Sequence, residues 1–166
     1  MSIQIGGGIT ITLDELGNVW YFGKLFGETT RIPKRIEGLS NIISLCCAKN
    51  FFVFLDSNGY VWYIGSLFDH DVTEPTRIEC LKDIIKVKSG YKHFIFLDSN
   101  GKCFGAGNNK SGEIGHTNVS SISSSEKISP MSCDKNIIDI ACGAFHTIFL
   151  TDKGTVLGCG TNTFTW

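Results

Sequence analysis

The chain has 166 residues, 42% hydrophobic and 19% charged, and fifteen basic against sixteen acidic side chains leave a formal net charge of −1. That length holds one domain with a real core, and the apolar share excludes a disordered chain. The balanced charge supplies no bulk basic excess for a phosphate backbone, so nucleic acid is not an expected partner.

Nineteen glycines and twelve phenylalanines beside only three prolines point to short strands separated by turns. The start, Met1 to Thr10, has no basic opening and no apolar run long enough for a secretory signal. No window approaches the roughly 18 apolar residues of a membrane span. The expected location is cytoplasm or nucleus. Gly6-Gly7-Gly8 precedes a strand instead of joining strand to helix, so it is no dinucleotide fingerprint.

From there the chain repeats itself. Leu13-Asp14 leads through Gly17, Val19 and Trp20 to a closing Gly23, and Leu55-Asp56 leads through Gly59, Val61 and Trp62 to Gly65. Leu97-Asp98 runs through Gly101, Cys103 and Phe104 to Gly107, and Leu150 through Gly154 and Val156 to Gly160. The first two steps are 42 residues (Gly17 to Gly59 to Gly101) and the third is 53. Asn41-Ile42-Ile43, Asp83-Ile84-Ile85 and Asn136-Ile137-Ile138 recur upstream of the motif. Repeat units are drawn at 1–23, 24–65, 66–107 and 108–160, with a further start at 161–166.

Within each unit Phe51–Leu55, His93–Leu97 and His146–Leu150 are five-residue runs, apolar except at a histidine or threonine. Such runs suit strands covered on both faces. Asp56-Ser57-Asn58-Gly59 and its copy at 98–101 are hairpin turns, where asparagine and glycine tolerate positive φ. Units of this size cannot bury their own faces, so they stack as the blades of a propeller or the coils of a solenoid. The expected fold is all-β: a partial, open β-propeller of about three to four blades.

Residues 117–132 stand outside the repeat, with Ser120, Ser121, Ser123, Ser124 and Ser125 at their centre. The composition reads as a mobile inserted loop and a candidate binding element. Seven cysteines, an odd number without any Cys-x-x-Cys pair, are expected to be buried free thiols and not a metal site. No nucleophile elbow or phosphate loop survives inspection, because Glu113 stands where a P-loop needs lysine. The chain is therefore expected to be no enzyme and to need no cofactor.

Ile140-Ala141-Cys142-Gly143-Ala144-Phe145-His146-Thr147-Ile148-Phe149-Leu150, with Gly154, Val156 and Gly160 after it, resembles the repeat of the regulator of chromosome condensation family. Gly107-Asn108-Asn109-Lys110-Ser111-Gly112-Glu113-Ile114-Gly115 is similar to the Gly-x-Asn-x-x-Gly-Gln-Leu-Gly element that follows it there. The first two copies depart from the pattern, with Ile9 and Phe51 where His93 and His146 stand later. The resemblance implies a propeller, typically seven-bladed in that family. About three and a half units leave a fragment, an arc that pairs with another half, or an open arc. It also implies a protein-interaction scaffold, with guanine-nucleotide exchange on a small GTPase, or membership of a larger protein such as a ubiquitin ligase, as alternatives. His93 and His146 enter as blade-fixing residues or, by that resemblance, as face residues that engage a GTPase.

Overall fold

The computed structural model describes residues 2–161, apart from residues 7, 26, 50, 67–70, 117–119, 124–127 and 132. The described residues form four antiparallel sheets and no helix. The first sheet is β1 (Ser2–Gly6), β2 (Ile9–Leu13), β3 (Val19–Leu25) and β4 (Glu28–Arg35). The second is β5 (Ile42–Cys47), β6 (Phe51–Asp56), β7 (Val61–Gly65) and β8 (Val72–Arg77). The third is β9 (Ile84–Ser89), β10 (His93–Asp98), β11 (Cys103–Asn108) and β12 (Ser121–Ile122). The last holds β13 (Ile137–Cys142), β14 (His146–Thr151) and β15 (Val156–Gly160). Each is a meander whose strands pair in chain order. The first strands, β1, β5, β9 and β13, lie side by side along the inner edge. This is the blade arrangement of a partial propeller. The blades straddle the sequence units: the second, third and fourth begin at the Asn/Asp-Ile-Ile run, and the first three take their outer strand from residues beyond the closing glycine.

Both faces of the second strand are covered, which is why it reads as an unbroken apolar run. All six residues of β6 and of β10 are buried. Ile9, Ile11 and Leu13 pack toward the second blade in one cluster with Phe52, Phe54 and Ile64. Phe51, Val53 and Leu55 belong with Phe94 and Phe96 to a larger cluster that continues to Phe149. Alternate side chains of one strand thus point forward to the next blade and back to the previous one.

The hairpins are closed by the recurring aspartate. Asp56 Oδ1 accepts the Asn58 and Tyr60 amides at 2.9 and 3.0 Å, and its Oδ2 accepts the Trp62 indole N–H at 3.0 Å. Asp14 makes the same set with Leu16, Asn18 and Trp20. The Trp20 and Asn18 donors hold the Asp14 carboxyl down at about 2. Thr151 takes the position in the last blade, its hydroxyl accepting the Thr155 amide at 3.0 Å.

The closing glycine has a steric cause. Gly107 lies opposite His93 with φ +99°, and a Cβ there would sit 2.4 Å from the Lys92 carbonyl oxygen. Gly23 and Gly160 meet the Gly8 and Phe145 carbonyls in the same way, at 2.6 and 2.3 Å. Gly107→Ala is expected to cost at least about 1–3 kcal/mol from the backbone conformation alone. Denaturant melts should show a larger loss than Gly154→Ala, which has positive φ but nothing within 4 Å.

Part of the serine-rich insertion lies among the described residues. Ser121 and Ile122 form β12, paired with Asn108 and Gly107, and Pro130 bridges to Phe104. Ile122 and Ile128 are buried.

Candidate interaction face

The two repeat histidines occupy equivalent positions and meet opposite fates. His93 opens β10, fully buried between the third and fourth blades. Its Nε2 lies 3.0 Å from Thr147 Oγ1. The Thr147 hydroxyl has one proton and donates it to the Glu113 carbonyl at 2.7 Å. Oγ1 therefore accepts from His93 Nε2–H, which fixes the tautomer and leaves Nδ1 without a partner among the described residues. Burial pushes the His93 pKa down to about 4, opposed by the charge of Glu113. The imidazole is thus neutral at pH 7 and enclosed in a blade joint. His146, one blade later, is exposed on the open face of β14.

Glu113 explains the Gly-x-Asn element. Its carboxylate accepts from Asn108 Nδ2 and from the Ser111 amide, the latter at 2.7 Å. Asn109 Oδ1 accepts the Ile114 amide at 2.8 Å, while its Nδ2 donates to the His116 carbonyl at 2.8 Å. The turn folded this way drives Ile114 into the core and aims the Glu113 carbonyl at Thr147. His116 is half-buried, with its Nε2 3.2 Å from the Ser129 carbonyl.

The segments between first and second strands form a ladder along one end of the arc. The Lys49 amide donates to the Tyr91 carbonyl at 3.1 Å, and the Tyr91 amide to the Ala144 carbonyl at 3.2 Å. Upon this ladder stands a cluster that sequence reading missed. Tyr91, 42% exposed, meets Phe145 edge-on with ring centroids 5.8 Å apart. The Lys49 and Lys92 ammonium groups lie 5.7 and 5.8 Å from the Tyr91 ring centre. The positions vary from copy to copy, so repeat matching carried no signal for them. Their common place in the period, just before the second strand, was the available clue.

Of the inserted-loop candidates, Ser120 and Ser121 are exposed and Ser123 is half-buried. Ser124 and Ser125 lie outside the described residues. Asn109 pairs its backbone with Ser120, at the same end of the blade as Tyr91. All seven cysteines are free; Cys46 and Cys103 are buried, but Cys80 and Cys133 are exposed, contrary to the expectation of buried thiols throughout. Burial pushes the Cys103 thiol up to about 12 and Cys142 to about 11, which makes both poor nucleophiles at neutral pH. Among the described residues no three His, Cys, Asp or Glu side chains come together as a metal site, and no helix is long and apolar enough to cross a membrane.

Comparison with known proteins fits this geometry. The model of one regulator of chromosome condensation repeat family matches residues 84–113 and 137–165, and a second matches residues 100–150. Human and mouse proteins named RCC1-like G exchanging factor-like protein are 40% identical over 60 residues, which is 34% of this chain and 13% of theirs. The structure of Prp20p from Saccharomyces cerevisiae, described with its binding to Gsp1p and histones, superimposes with a TM-score of 0.82 at 19% identity. It is covered over 98% of this chain and 43% of its own. Human WBSCR16 gives 0.79 at 17% identity, over 96% of this chain and 46% of its own. The chain spans less than half of either propeller. Residues 84–165, the third and fourth blades, thus match the repeat of the regulator of chromosome condensation family, and nearly the whole chain shares the fold of the propellers compared.

Proposed function

We propose that the chain is a protein-interaction module whose contact surface is the loop end carrying Lys49, Tyr91, Lys92 and Phe145. The observation that carries this reading is the pair of exposed Tyr91 and half-buried Phe145, flanked by two lysines on a hydrogen-bonded backbone ladder. Aromatic side chains on a rigid frame are the groups that dominate protein contacts. The two ammonium groups favour a partner with an acidic surface. The work is binding, without a catalytic side chain and without a cofactor, inside the cytoplasm or nucleus. Affinity capture from source cells, quantified against Tyr91→Ala, tests it. The expected result is a defined partner retained by the wild type and reduced at least about tenfold by the variant. Equal recovery with both would reject this face.

The second reading is guanine-nucleotide exchange on a small GTPase, supported by the name of the human and mouse relatives. Exchange of this kind is binding that distorts the GTPase, and it would use the same loop end. Release of a fluorescent nucleotide from a panel of small GTPases is the measurement. Acceleration abolished by Tyr91→Ala would establish exchange at this face, and no acceleration at micromolar protein would retire it.

A further inference from the structure

The joint between the first and second blades carries a groove at its outer rim, with a volume of about 550 Å³, inside the range of ligand sites. Its floor is apolar: Tyr21, Ile36 and Ile64 are buried members of the cluster that joins the two blades. Its edge is charged, with Glu28, Arg35, Glu37 and Glu74 all exposed.

The equivalent ground at the next joint is filled. Tyr63, the counterpart of Tyr21 one period on, is 4% exposed in a cluster that includes Ile114, Ile122 and Ile128 of the third blade. Ile114 belongs to the Gly-x-Asn element and the other two to the insertion, the two features that lengthen the third step from 42 residues to 53. The second blade has neither feature, and among the described residues the first joint stays open.

The charges at the edge are left over for a similar reason. Arg77 and Glu79 are the copies of Arg35 and Glu37 one period on. Arg77 donates from Nε to the Glu79 carboxylate at 2.8 Å and again from Nη2, and its guanidinium lies 4.8 Å from the Tyr60 ring centre. The first blade has Asn18 in place of Tyr60, and neither Arg35 nor Glu37 forms an ion pair among the described residues. Glu74 forms none there either, whereas Glu28 is paired with Lys34. Two uncompensated carboxylates and one guanidinium thus edge an apolar floor.

We infer that this groove binds a short extended segment of a partner protein in which a lysine or arginine stands beside a large apolar side chain. The apolar side chain lies on Tyr21 and Ile64, and the basic group meets the Glu37 and Glu74 carboxylates. Its aliphatic stem adds contact with the floor, while Arg35 donates to a backbone carbonyl of the segment. Two carboxylates against one guanidinium leave the edge negative, which turns acidic segments away. The surface is separate from the loop end of Tyr91 and Phe145, which favours an acidic partner, so either reading can fail without the other.

The probe is a library of random heptapeptides displayed on phage, first depleted on Thr73→Trp and then panned on the wild-type 166-residue chain. Thr73 is an exposed lining residue, and the indole fills the groove without changing its charge. Depletion therefore removes peptides that bind elsewhere, the Tyr91 end included. Surviving sequences are expected to share a lysine or arginine within two residues of a Phe, Leu, Ile or Trp. Labelled copies, titrated by fluorescence anisotropy, are expected to bind Glu37→Lys and Glu74→Lys at least about tenfold more weakly than wild type. Asp134→Lys makes the same change of charge at an exposed position between the third and fourth blades and is expected to stay within about twofold. No surviving sequence, survivors without a basic residue, or unchanged affinity for the two groove variants would each overturn the inference. An equal loss with Asp134→Lys would overturn it as well, since attraction to the chain's net charge would then be the cause.

Discussion

Phe96→Ala is expected to lower unfolding stability by about 3–5 kcal/mol. Phe96 is fully buried in β10, one of the side chains in the cluster that joins the second, third and fourth blades. Its neighbour Phe94 stacks 6.3 Å away at 19°, and both point back at the second blade. Truncation there opens a cavity walled by two sheets held in place by their own ladders, so collapse is restricted and the cost falls in the upper range for an aromatic deletion. Phe22→Ala is the control, a large apolar side chain on the open face of the first blade, 38% exposed. Its loss should cost about 1 kcal/mol or less. Guanidinium melts of both variants check the comparison, and equal losses would mean that the blades do not stack as described.

Acid should loosen the joint at His93. The ordinary imidazole pKa of 6.5 is held at about 4 in the fold, with burial the main cause. Between those values the unfolded chain binds a proton that the folded chain refuses, so unfolding is favoured as pH falls. The contribution is complete above pH 6.5, drains away as pH drops toward 4, and changes no further below that. Two and a half pH units of differential binding amount to about 3 kcal/mol. His93→Phe, which copies the Phe51 position of the blade before, removes the titrating group. Its stability should fall less than that of the wild type between pH 7 and pH 4.5. Parallel curves would show that His93 titrates in the fold as it does in water.

Much of this architecture was legible in the residues. The Leu-Asp…Gly…Gly spacing and the five-residue apolar runs placed the hairpins and the buried second strands, because each feature is local and repeated. Copy against copy, Ile9, Phe51, His93 and His146 were already aligned. What that alignment does not contain is the partner across the joint: Thr147 faces His93 only because the sheets stack, and the two lie 54 residues apart. The buried positions of the insertion escape composition for a related reason. Composition weighs the seven serines from 120 to 132 alike, whereas Ile122 and Ile128 are the buried side chains among the described residues there. The Tyr91–Phe145 pair was invisible for the opposite cause, since the proposed contact rests on residues that the copies do not share.

The recurring histidine as a blade joint, and not a surface group, is the point on which the rest depends. Titration of the imidazole Cε1 protons by NMR, with His93→Gln to assign the signal, reads it directly. The expected result is a His93 ring that stays neutral as its Nε2–H tautomer through pH 5, with a midpoint near 4. A midpoint near 6.5 would contradict it, for it would place His93 in water and leave the third and fourth blades without the joint described between them.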